Sequence, residues 1–74
     1  MLRVIDEKYI TQMGFMKNGH DWVYITNVDG DKRTCFTIYA GSTYIRYAKT
    51  SYVNEEQLRL VHEWTKLGYI EWID

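Results

Sequence analysis

The chain predicts an α+β domain: an antiparallel meander of three to four strands, with a short N-terminal and a longer C-terminal helix on one face, in the order αβββα. A closing edge strand is optional in that scheme. Three observations predict it. Asp29-Gly30 and Gly41-Ser42 each sit between alternating, aromatic-rich runs, the strongest short-range signal for tight hairpins. Residues 55–67 carry apolar side chains at helical spacing, bounded by Asn54 and Gly68. With 74 residues and no proline or low-complexity run, the chain reads as one folding unit, residues 1–74, with a modest core.

The first helix is expected over residues 7–13. Asp6 caps it, Ile5, Tyr9, Ile10 and Met13 form its apolar side, and Gly14 ends it, leaving Phe15 as the hydrophobic residue past the stop. Asn18-Gly19 then offers a turn between a short strand at 15–17 and a strand beginning near His20. A strict two-residue loop there pairs Phe15 with Trp22 on one face, in conflict with a core role for Phe15. A bulge, or the absence of a strand at 15–17, removes the conflict.

The next two hairpins sort residues 22–48 into faces. A two-residue loop at Gly41-Ser42 pairs Tyr39 with Tyr44, Ile38 with Ile45, Thr37 with Arg46, Phe36 with Tyr47 and Cys35 with Ala48. A two-residue loop at Asp29-Gly30 pairs Tyr24 with Cys35 and Val23 with Phe36. Val23, Ile25, Phe36, Ile38, Ile45 and Tyr47 then make the better core. Trp22, Tyr24, Cys35, Thr37, Tyr39, Tyr44, Arg46 and Ala48 fall on the outer face.

In the second helix Leu58, Leu60, Val61, Trp64 and Leu67 occupy one half of the circumference, while Glu55, Glu56, Arg59, Glu63 and Lys66 take the other. Asn54 is the expected cap, with Gln57 reaching back as its capping-box partner. Residues 69–73 alternate, which fits either an edge strand or a segment tucked under this helix.

Composition narrows the function. Nine basic and ten acidic residues leave a net charge of −1, which gives no long-range attraction for phosphate polymers or anionic membranes. Nucleic acid is therefore disfavoured as a partner. The single cysteine, Cys35, can form neither an internal disulfide nor a zinc site, and fits a reduced, cytoplasmic setting. The amino terminus lacks a signal-like apolar stretch and no run is long enough to span a membrane.

No catalytic or metal motif stands out, so a non-enzymatic chain without cofactor is expected. His20 and His62 have no second ligand at metal-site spacing. Asp21 beside His20 on a strand would point to the opposite face. Asp29 with Asp31 marks a hairpin tip, because the other oxygen ligands of a calcium loop are missing. What remains is the aromatic outer face. Trp22, Tyr24, Tyr39 and Tyr44, with Arg46 and Arg33 beside them, have the composition of a protein-binding surface, for another protein or for a second copy of this chain.

Three resemblances bear on this. The helix–meander–helix order resembles the double-stranded RNA-binding domain, but that family places a lysine cluster at the start of its second helix, where this chain has Asn54, Glu55 and Glu56. In outline the chain is similar to HicA-type toxin ribonucleases, through Gly14-Phe15 closing the first helix and His20 soon after. That resemblance implies an RNA-directed activity as the alternative reading. There, Gly19 replaces the family's serine before the histidine, and the basic character is missing. The chain is also similar in style to small phage and prophage proteins, through Asp6, Glu7, Gly14, Phe15, Trp22, Asn54, Glu55 and Glu56. That likeness implies an inhibitor or adaptor of a host protein.

Overall fold

The computed structural model describes residues 1–49 and 53–73. Six strands and two helices follow one another as β1 (Leu2–Val4), α1 (Lys8–Gln12), β2 (Met16–Asn18), β3 (Asp21–Val28), β4 (Asp31–Ile38), β5 (Tyr44–Tyr47), α2 (Asn54–Lys66) and β6 (Ile70–Trp72). The strands form one antiparallel sheet in the order β2-β3-β4-β5-β1-β6. The α+β class and the meander stand, but the expected three or four strands are six. The chain opens on a strand, not a helix. β1 inserts between β5 and β6, so that β5, α2 and β6 make a crossover between parallel strands held apart by one strand.

Leu2-Arg3-Val4 forms β1 because its apolar residues alternate: Leu2 and Val4 are buried and Arg3 points away. The cap position of α1 is Glu7, not the expected Asp6, whose carboxylate nevertheless accepts the Lys8 N–H at 3.0 Å from the residue before it. The stop at Gly14 is a Schellman motif, with Phe15 N–H donating to the Ile10 carbonyl and Gly14 N–H to that of Thr11. Ile5, placed on the helix's apolar side by its spacing, instead extends β1, donating its N–H to Tyr69, and is half exposed. α2 ends in the same motif at Gly68-Tyr69, and Tyr69 stacks on Tyr9 with ring centroids 4.7 Å apart.

Two expectations at α2 are corrected. Val53, not Asn54, occupies the cap position, and among the described residues no side chain caps the helix. Gln57 does not reach back. It is buried, and its amide donates to the carbonyls of Cys35 at 2.8 Å and Ala48 at 3.2 Å. The buried stripe is Gln57, Leu60, Val61 and Trp64, whereas Leu58 and Leu67 lie outside it at 70% and 55% exposure.

The first hairpin turns at Gly19-His20, one residue later than expected, which pairs Lys17 with Trp22 and Met16 with Val23. Phe15 thereby falls beside Tyr24, ring centroids 5.7 Å apart, and the conflict with its core role disappears. At the second hairpin Asp29 and Gly30 both have positive φ, 52° and 86°, as a two-residue primed turn requires. The third keeps the expected register, Phe36 opposite Tyr47 and Thr37 opposite Arg46. Its turn is built on Tyr39–Ser42, so the loop is longer than two residues.

The decisive departure lies in the middle of β4. Near the turn Val28 pairs with Asp31 and Ile25 with Thr34, but beyond a bulge at Cys35 the partners become Tyr24 with Phe36, Val23 with Thr37 and Trp22 with Ile38. One extra residue flips every side chain beyond it to the other face. Tyr24 and Trp22 therefore share the helix-covered face with Phe36 and Ile38, and Val23 and Ile25, expected in the core, lie on the open one. The core gathers Leu2, Val4, Ile10, Met13, Phe15, Phe36, Ile38, Ile45, Leu60, Trp64 and Ile70 between sheet and helices. Trp64 of α2 meets Phe15, Tyr24 and Phe36 at 5.3–5.7 Å. Among the described residues no helix is long and apolar enough to cross a membrane.

Candidate functional site: the open sheet face

Both helices feed the core on one side, so the opposite side of the sheet carries what the strands alone present. The register lays a row across it, with Met16 beside Val23, Val23 beside Thr37 and Thr37 beside Arg46. A second row runs Tyr44, Arg3, Glu71. Ile25 and Tyr39 flank the first row on the same side by strand alternation. Met16, Ile25, Tyr39 and Tyr44 are 61%, 41%, 49% and 37% exposed.

Charge on this face is unevenly compensated. The Arg3 guanidinium is engaged by the Glu71 carboxylate, its Nε donating at 2.9 Å and Nη2 donating to the same oxygen. Arg46 instead lies over the Tyr39 ring, with its guanidinium carbon 5.1 Å from the centroid. Such a contact contributes about 0.5–1 kcal/mol at an exposed site. Together these side chains form an apolar and aromatic field around one positive charge without a carboxylate partner among the described residues.

Three of the six residues expected on one surface are here: Tyr39, Tyr44 and Arg46. The other three are on the opposite side. Tyr24 is partly buried against the core, where desolvation, with a smaller contribution from Glu56, pushes its phenol above its ordinary pKa. Trp22 is half-buried beneath Lys17, whose Nζ lies 4.7 Å from the ring centroid. Arg33 pairs with Thr26 on the same side as Tyr24 and ion-pairs with Asp31 at 3.6 Å. The expected grouping thus splits at the bulge. Met16, Val23 and Ile25 take the vacated places. Nothing in the run Thr34-Cys35-Phe36-Thr37 marks a bulge, since the usual glycine is missing.

His20 stands exposed at the β2–β3 turn and His62 is exposed on α2. Among the described residues no three of His, Cys, Asp and Glu gather as a metal site would require. The Cys35 thiol is fully buried, and burial holds it protonated above its ordinary pKa.

The fold and this surface define a class: a small α+β protein whose antiparallel sheet is covered by helices on one side and open, aromatic and cationic on the other. Compared with family models, curated proteins and solved structures, the chain matches none of them.

Proposed function

We propose that this chain is a non-enzymatic protein-binding module that engages its partner through the open sheet face. The observation that carries the reading is the Tyr39–Arg46 stack beside exposed Tyr44, Ile25 and Met16. Tyrosine and arginine are the residue types enriched where binding energy concentrates, and strands position them with little entropy left to lose. The stylistic likeness to phage and prophage proteins supports a host protein as the partner, with the chain acting as its inhibitor or adaptor. The balanced charge favours a protein over a nucleic acid.

The test is an affinity pull-down of tagged protein from a bacterial lysate, with and without nuclease, beside a Tyr39→Ala/Tyr44→Ala variant. A nuclease-resistant partner lost in the variant is the expected result. Equal recovery by the variant would refute the reading. Recovery of the chain alone would replace it by a homodimer, whose melting temperature rises with protein concentration. Recovery of RNA would move the assignment to the RNA-directed alternative.

A further inference from the structure

A second uncovered surface lies at the β6 end of the sheet and does not depend on the open face. β6 is the outermost strand, and its pairing with β1 uses one edge only. Met1 and Ile73 exchange both backbone hydrogen bonds, and Ile5 N–H donates to the Tyr69 carbonyl. Hydrogen-bonded positions alternate along an antiparallel ladder, so residues 69, 71 and 73 face β1. The backbone N–H and C=O groups of Ile70 and Trp72 therefore point outward, an open template for another strand.

The side chains at that edge add a groove. Trp72, 61% exposed, and Leu58, 70% exposed, stand over a hollow of about 480 Å³ between β6 and α2, completed by Val61, His62, Thr65 and Lys66. Among the described residues no carboxylate lines it. Lys66 has no ion-pair partner among the described residues. The opposite edge differs, because β2 is polar at Lys17 and Asn18 and Lys17 folds over Trp22. A lysine on an edge strand discourages strand addition, and β6 has none.

We propose that β6 and this groove form a docking site for an extended segment of a partner protein. The segment adds to β6 as a seventh strand, sets an apolar side chain against Trp72 and Leu58, and brings a carboxylate to Lys66. Charge selects this occupant over a second copy of the chain. The lining of a second copy's groove offers Lys66 no carboxylate among the described residues, whereas an acidic segment supplies one.

The probe is a phage-displayed library of random ten-residue peptides, panned on the full chain. Enriched peptides are expected to alternate apolar residues and to carry Asp or Glu. They should bind Trp72→Ser and Lys66→Glu variants at least about tenfold more weakly, and the Tyr39→Ala/Tyr44→Ala variant unchanged. In labelled protein they should shift the backbone amides of Ile70 and Trp72. Trp72 is mostly exposed, so its substitution is expected to leave the fold intact, and Lys66→Glu serves as the independent check. No enrichment over an unrelated protein, enrichment of basic peptides, or undiminished binding to Trp72→Ser would each overturn the proposal. Peptides lost only with Tyr39 and Tyr44 would overturn it while supporting the open face.

Discussion

The side-chain amide of Gln57 donates a hydrogen bond to the carbonyl of Cys35 at 2.8 Å, and both residues are buried. Cys35 is the bulged residue of β4, so a helix side chain is tied to the one irregularity that decides which aromatic residues face the core. The same amide reaches the Ala48 carbonyl at 3.2 Å, and Ala48 N–H donates to Cys35 at 3.0 Å. α2, β4 and the end of β5 are thereby joined at one point.

Replacing Gln57 with Leu keeps much of its volume and removes both donors, leaving the Ala48 carbonyl without this partner. The expected cost is about 1–3 kcal/mol, measured as a lower urea midpoint at unchanged slope. A shift below about 0.5 kcal/mol would show that the pin contributes little.

The bulge depends on residue count more than on the thiol. Cys35→Ala should cost about 1 kcal/mol, as a small loss of buried volume. Deleting Cys35 removes the bulge but leaves Tyr24 opposite Phe36 and Trp22 opposite Ile38, so the variant should keep a cooperative urea transition at a lower midpoint. A deletion variant without a cooperative transition would contradict the register.

The two faces can be told apart by stability. Tyr24→Ala removes a ring packed on Phe15, Phe36 and Trp64, and should destabilise by about 3 kcal/mol or more. Ile25→Lys, one residue on and facing outward, should change stability by about 0.5 kcal/mol or less. An uninterrupted Asp29-Gly30 register predicts the reverse order, so parallel urea titrations distinguish them.

Gly14 combines two constraints. Its φ is +101°, and a Cβ there would meet the Tyr24 ring at 3.2 Å, whereas at Gly68, φ +80°, nothing lies within 4 Å. Gly68→Ala should cost about 1 kcal/mol for the backbone alone. Gly14→Ala should cost more, since the core ring must also move. Thermal unfolding of the two variants gives the comparison.

Alkaline pH should destabilise the protein through acids that the fold desolvates. Burial raises the Cys35 thiol and the Tyr24 and Tyr47 phenols above their ordinary values. The unfolded chain then binds fewer protons than the native one once pH exceeds about 8.5 for a thiol and about 10 for a phenol. Their contribution is present below those values and is lost as pH rises past them. Stability measured by urea should fall above about pH 9, and less steeply in Cys35→Ala. At the acid end the Arg59 hydrogen bond holds Glu56 below its ordinary value, so a smaller loss should appear as pH drops through the carboxylate range.

Local chemistry was legible wherever a few neighbouring residues determine the outcome. The stops at Gly14 and Gly68, the primed turn at Asp29-Gly30, the register of Phe36 with Tyr47 and the extent of α2 follow from chirality, helix-stop chemistry and side-chain period, and all are present. Half of the candidate surface, Tyr39, Tyr44 and Arg46, followed from the same register. The sequence by itself thus determined the α+β class, the meander and which residues turn or stop the chain. Tertiary structure alone decided the rest. β1 is three residues long and becomes a strand only between β5 and β6, distant in sequence, where burial of Leu2 and Val4 stabilises it. The bulge at Cys35 has no local signal. It is held by Gln57 from α2 and by the packing of Tyr24 against Trp64, and with a side-chain period of two, that single residue exchanges Trp22 and Tyr24 for Val23 and Ile25 on the open face.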